Sequence, residues 1–232
     1  MARRKKQSNN SKIRHLIADL NPRSPISEQY RTIRTNLQFS SVDSDLKTIL
    51  VTSSGPSEGK SMTTANLAVV YAQTGKKVLL IDTDLRKPTI HYTFRMDNLK
   101  GLSNILVGDQ ALEDVITASD IDNLDLISCG PIPPNPSELL ASRKMEKMIE
   151  QASKLYDIIL FDTPPVLAVT DAQIMANVCD GSLLVVRSKK TEVEAAKKAV
   201  EILKPSKAKL LGTILNDREK KASGYYYYYG TE

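Results

Sequence analysis

The stretch Thr48-Ile49-Leu50-Val51-Thr52-Ser53-Ser54-Gly55-Pro56-Ser57-Glu58-Gly59-Lys60-Ser61 decides the fold. Its first five residues read as a strand and its glycine-bearing middle as a tight turn; its end opens a helical pattern over Ser61–Thr74 that Gly75 closes. Strand, turn and helix in this order are the setting of a P-loop. Backbone N–H groups of such a turn point inward at a phosphate, the helix N-terminus adds partial positive charge, and a lysine supplies a full one. Ser54 stands where the G-x-x-x-x-G-K-[ST] pattern has glycine, and Gly55 beside it supplies the missing freedom. Gly55, Pro56, Ser57, Glu58, Gly59, Lys60, Ser61 and Met62 are therefore the candidate contacts to a nucleoside triphosphate. Lys60 is aimed at the β- and γ-phosphates and the Ser61 hydroxyl at Mg²⁺.

Working outward, short apolar runs recur at Val78–Ile81, Leu124–Ile127, Ile158–Phe161, Leu183–Val186 and Leu210–Ile214. Runs such as Val78–Ile81 and Ile158–Phe161 lack polar alternation, as strands of a parallel sheet do when helices cover both faces. Helical spacing fills intervals between them, at Ser137–Leu155 and at Glu192–Leu203 before Pro205. The expectation is an α/β fold of the P-loop NTPase type, with a mostly parallel central sheet flanked by helices in a single domain. Residues 26–222 would form that domain, 1–25 a basic arm and 223–232 a tyrosine-rich tail.

Two acidic motifs follow strands: Asp82-Thr83-Asp84-Leu85-Arg86 and Asp162-Thr163-Pro164-Pro165. In a parallel sheet the strand ends share one edge, so residues just after strands converge on the ligand crevice there. Mg²⁺ is hard and is usually held by one or two carboxylates plus phosphate oxygens. Lys60, Asp82, Asp84 and Asp162 form the candidate catalytic set, and Ser61, Asp84 and Asp162 the candidate metal set. Spacing leaves open which of Asp82 and Asp84 serves the metal and which accepts a proton. Arg86 is placed to meet a phosphate or a carboxylate, and Asn216, just beyond the last run, to contact an adenine edge.

With Tyr225–Tyr229, five consecutive tyrosines, these motifs resemble those of the bacterial protein tyrosine kinases of exopolysaccharide and capsule systems. The resemblance covers nearly the whole chain. It implies an ATP- and Mg²⁺-dependent enzyme that autophosphorylates Tyr225, Tyr226, Tyr227, Tyr228 and Tyr229 and phosphorylates other proteins. In that family a Glu-x-x-Arg-x-x-Arg pattern, here Glu28, Arg31 and Arg34, mediates assembly into a homo-oligomeric ring. Spacing alone would make those three intrahelical ion pairs. The resemblance further implies a membrane modulator protein whose cytoplasmic tail activates the kinase, a cognate tyrosine phosphatase, and a place at the inner face of the plasma membrane. Flanked by Gly224 and Gly230, the tyrosines are poor core material. From Asn216 an extended chain reaches Tyr229 over at most roughly 45 Å, enough to enter a neighbouring subunit's site. Two rivals share the nucleotide motifs: a partition-type P-loop ATPase and a nucleotide-gated scaffold. The ATPase resembles a pattern with a lysine near the start of the loop, where this chain has Ser53, Ser54 and Gly55.

Composition narrows the field further. The 232 residues carry a net charge of +5, but Arg3, Arg4, Lys5, Lys6, Lys12 and Arg14 precede every acid and leave the remaining chain near neutral. The arm has no interleaved aromatics and no reading motif, so nucleic acid is not indicated. It reads either as a tether to anionic lipid or another polyanion, or as a solvated tail. The longest apolar run, Leu67–Ala72, is far short of a membrane span, and no apolar segment follows the basic start, which places the chain in the cytosol. Cys129 and Cys179 lack metal-site spacing and read as reduced, buried thiols; His15 and His91 show no catalytic constellation.

Overall fold

The computed structural model describes residues 16–40 and 46–219. Among these the strands are β1 Thr48–Ser53, β2 Val78–Asp82, β3 Thr117–Ala118, β4 Leu124–Ile127, β5 Ile158–Asp162, β6 Gly181–Arg187 and β7 Lys209–Asn216. The helices are α1 Ile17–Leu20, α2 Pro25–Phe39, α3 Lys60–Ala72, α4 Ile90–Thr93, α5 Leu102–Val107, α6 Pro136–Leu140, α7 Arg143–Leu155, α8 Asp171–Met175 and α9 Val193–Leu203. The strands form one sheet in the order β3-β4-β2-β5-β1-β6-β7. Every pairing is parallel except that of the two-residue β3 with β4.

Successive strand residues feed opposite faces. Leu50, Leu79, Ile81, Phe161 and Leu184 join one apolar cluster with Met145, Met148 and Leu203. Ile49, Val51, Leu80, Leu160 and Val185 join the other, with Leu67, Val70 and Tyr71 of α3. Central strands buried on both sides need no polar alternation, which is why their runs read as continuous. None of the helices among the described residues is long and apolar enough to cross a membrane.

Four differences from the sequence reading bear on the site. Asp82 and Asp162 are the last residues of β2 and β5 rather than the first of their loops, and they stand opposite each other in the ladder. β7 runs two residues past Ile214, so Asn216 ends the strand. The helix expected over Ser137–Leu155 breaks at Ser142, whose extended backbone starts α7 afresh. The ordered body begins before Ile26: Leu16 and Ala18 are buried, the Ala18 N–H donates to Asn66 Oδ1 at 2.9 Å, and Gln73 Nε2 donates to the Ala18 carbonyl at 3.0 Å. Ser24 then caps α2 by accepting from the Ser27 N–H, with Pro25 in the first turn, where its missing donor costs nothing.

Candidate functional site

β1 delivers the loop to the edge of the sheet from between β5 and β6. Ser57 at φ 62° and Gly59 at φ 97° turn it back onto α3, whose first residue is Lys60. Glycine is required at position 59 for two reasons: its φ is left-handed, and a Cβ there would lie 2.0 Å from Asn216 Nδ2.

Lys60 Nζ is the hub. It donates to Asp84 Oδ2 at 3.1 Å, Asp162 Oδ1 at 3.2 Å and Ser61 Oγ at 3.3 Å. Three segments remote in sequence thus meet at one ammonium. Burial alone would lower its pKa, but the facing carboxylates of Asp162, Asp84 and Asp82 outweigh that, and it stays above the ordinary lysine value. Asp162 is pushed above the usual carboxylate range by burial, against the opposing pull of Lys60 and the Ser61 hydroxyl. Asp82 is raised by burial and by the negative charge of Asp162 beside it.

The two aspartates that spacing could not separate differ in their surroundings. Asp82 Oδ2 accepts from the Thr89 and Ile90 N–H groups at 2.9 and 3.0 Å, and Oδ1 from the Asp84 N–H at 3.2 Å, so both oxygens hold backbone. Asp84 spends Oδ1 on the Lys87 N–H and turns Oδ2 to Lys60. Asp162 Oδ2 is buried with no hydrogen-bond partner among the described residues. A buried, orphaned carboxylate oxygen beside a hydroxyl suits a hard cation. Among the described residues there is no group of three or more His, Cys, Asp and Glu that could hold a metal ion.

Arg86, expected near the nucleotide, is engaged elsewhere. Its Nε and Nη2 fork onto buried Asp171 at 2.9 and 3.1 Å, and Nη2 also donates to Ser137 Oγ. Of the two partners left open for it, the structure gives the carboxylate. Asn216 lies against the loop, its Nδ2 donating to the Glu58 carbonyl at 2.9 Å. Glu28 and Arg31 pair within α2 at 2.6 Å, while Arg34 Nη1 donates to the Val70 carbonyl of α3. Cys129 and Cys179 are buried, and burial pushes Cys129 up to about 12. Tyr225–Tyr229 and His15 lie outside the described residues.

A family model described as an AAA domain matches residues 46–212. Over 219 residues, 94% of this chain and 92% of the relative, the sequence is 53% identical to tyrosine-protein kinase YwqD of Bacillus subtilis. The chain belongs to the bacterial tyrosine kinases. The kinase is similar to the chimerical protein CapA2B2, with a TM-score of 0.86 and 43% identity over 88% of this chain and 90% of that one. Its likeness to the septum site-determining protein MinD of Pyrococcus horikoshii, complexed with Mg-ADP, is more distant: TM-score 0.64, 28% identity, 73% and 69% coverage. The partition-type ATPases are thus fold relatives of the kinase, and its nearer kin carry the kinase name.

The residues that sequence reasoning missed are those that brace the kinase's loop from outside. Thr191 Oγ1 donates to Glu58 Oε1 at 2.7 Å, and Arg187 Nη1 donates to the Ser57 carbonyl at 3.3 Å. Both follow or end β6, and the rule that strand ends converge on the crevice would have flagged them had it been applied to every strand. Gly59→Ala should weaken nucleotide binding by the kinase about tenfold, because left-handed backbone costs roughly 1–2 kcal/mol outside glycine and the Asn216 amide must move. Titration with MgADP checks this; unaltered affinity would mean the loop has room that the geometry denies.

Proposed function

We propose that this chain transfers the γ-phosphoryl group of MgATP to tyrosine hydroxyls, its own Tyr225–Tyr229 among them, in the control of capsule or exopolysaccharide production. The observation that carries this reading is the meeting of Lys60, Asp84 and Asp162 within hydrogen-bond reach, in a chain 53% identical to a named tyrosine-protein kinase. The loop amides and Lys60 bind the β- and γ-phosphates, and Ser61 and Asp162 hold Mg²⁺. The ion, when bound, neutralises charge on the transferring phosphoryl group. The phenolic oxygen attacks γ-phosphorus, the bond to the β-bridging oxygen breaks, ADP leaves, and the phenolic proton passes to Asp84. Asp82, with both oxygens on backbone, keeps Asp84 in place. Asn216 braces the loop at the Glu58 carbonyl and keeps the sequence-based role at the adenine edge as part of this proposal.

The same reading includes a membrane modulator that activates through its cytoplasmic tail, protein substrates, a cognate phosphatase and location at the inner membrane face. Ring assembly through Glu28, Arg31 and Arg34 requires Arg34 to exchange the Val70 carbonyl for a neighbour's acid. Each added phosphate carries about −1.5 to −2 charge, so several on adjacent tyrosines repel and loosen the tail's engagement.

The test is labelled ATP with Mg²⁺ and the modulator's cytoplasmic tail. A chain lacking residues 225–232 should lose autophosphorylation and keep activity on an exogenous tyrosine peptide. Persistent autophosphorylation of that chain would refute the tail assignment. Free phosphate without phosphotyrosine would instead favour the ATPase reading that the MinD likeness keeps in view.

A further inference from the structure

The carboxylate of Glu58 is turned onto Ser54 and Thr191, and the residue is only 5% exposed. Oε2 accepts from the Ser54 N–H at 3.0 Å and from Ser54 Oγ at 3.1 Å. Oε1 accepts from Thr191 Oγ1 at 2.7 Å, and that hydroxyl oxygen in turn accepts from the Arg187 N–H at 2.8 Å. One side chain therefore joins the beginning of the loop, its middle, and the connection between β6 and α9.

A negative charge beside a triphosphate site is adverse in itself. Its presence calls for a geometric reason. A loop whose N–H groups converge on phosphate turns its carbonyls outward, where they need donors of their own. Here Ser57 and Glu58 carbonyls receive Arg187 and Asn216, and the Glu58 carboxylate ties Thr191, in the connection after β6, to Ser54. The left-handed backbone at Ser57 is held by this bracing. Ser54, the departure from the glycine consensus, gives the carboxylate a hydroxyl that glycine would lack.

We infer that Glu58 is a positioning residue that holds the loop in its nucleotide-accepting shape through Ser54 and Thr191, acting by hydrogen-bond geometry and not by charge. The inference rests on the nucleotide-binding part of the function proposed above. Glu58→Gln keeps an oxygen for the Ser54 donors and offers its amide N–H to Thr191 Oγ1, so it preserves the brace and removes the charge. Glu58→Ala removes the brace and leaves the buried Ser54 N–H without a partner.

Full-length variants are titrated with MgADP by calorimetry, alongside thermal midpoints without nucleotide. Glu58→Ala should raise the Kd about tenfold, since the competent loop shape becomes a minority. Glu58→Gln should bind within about threefold of the wild type or tighter. Thr191→Val should be weakened and Thr191→Ser should not. Equal affinity of Glu58→Ala and wild type overturns the inference, and so does a Glu58→Gln as weak as Glu58→Ala, which would make charge the agent. Should Glu58→Ala fail to fold, the Thr191 pair decides: weakening by valine but not serine supports the brace, and no weakening by either overturns it. Wild-type protein that binds no MgADP sinks the proposed function together with this inference; wild type that binds while the variants match it sinks the inference alone.

Discussion

Lys60→Met is expected to lower phosphotransfer on the order of a thousandfold, the scale seen when a preorganised charge is removed from a transition state. The structure adds a second effect. Without the ammonium, Asp162, fully buried, and Asp84, nearly so, face each other and Asp82 with the Arg86 guanidinium, already forked onto Asp171, as a remaining counter-charge near Asp84. An uncompensated buried charge costs about 3–5 kcal/mol, and the usual relief is to take up a proton. Asp162 and Asp82 are already raised by burial above the ordinary carboxylate range with Lys60 present, and its loss raises them further. An acid whose folded-state pKa is raised favours the folded chain while protonated. That contribution is complete at low pH and is lost as pH climbs from the ordinary carboxylate range through the raised value. The thermal midpoint of Lys60→Met should therefore fall more steeply than that of the wild type between about pH 4 and neutrality. Mg²⁺ should restore part of it by supplying the missing positive charge. A midpoint that tracks the wild type across pH and ignores Mg²⁺ would show that the three carboxylates are not electrostatically joined.

The second large effect separates two aspartates that look alike in sequence. Asp162→Asn should reduce phosphotransfer at least a hundredfold. It should leave the thermal midpoint unchanged or higher, because one of two neighbouring buried negative charges is gone. It should also abolish the rise in midpoint that Mg²⁺ with nucleotide gives the wild type. Asp82→Asn should do the reverse. Its carboxylate accepts three backbone N–H groups, and an amide can present oxygen to only some of them. One unpaired buried donor costs about 1–3 kcal/mol, and each kcal/mol lowers the midpoint of a chain this size by roughly 2–4 °C. The Mg²⁺-dependent rise should survive. If Asp162→Asn retains that rise, the orphaned Oδ2 is not where the ion binds.

Much of this arrangement was legible because its signals are local. The loop, its lysine and the strand before it lie within fourteen residues, and the doubly buried strands announce themselves by unbroken apolar runs such as Ile158–Phe161. What could not be read involves partners far apart in the chain. Arg86 meets Asp171 across 85 positions, and Glu58 meets Thr191 across 133. Spacing pairs neither; the convergence of strand ends brings Glu58 and Thr191 to one edge of the sheet but does not name the bond between them. Boundaries failed more quietly: apolarity stops at Ile81 and Phe161, but the ladder continues one residue further, so the Asp82 and Asp162 carboxylates inherit the burial of the strands. The packing of Leu16 and Ala18 was hidden by the cations before them, since a short apolar patch beside a basic stretch carries little periodicity.

β7 pairs with β6 along one side only among the described residues, and its final residue, Asn216, rests on the loop. Traction applied to the chain beyond Glu219 would unzip that strand from Asn216 backward, one rung at a time. The first rung to go is the one that steadies the phosphate cradle, while the central strands still stand. Whatever grips the polypeptide on that side gains mechanical leverage over nucleotide retention without having to unfold the body of the molecule.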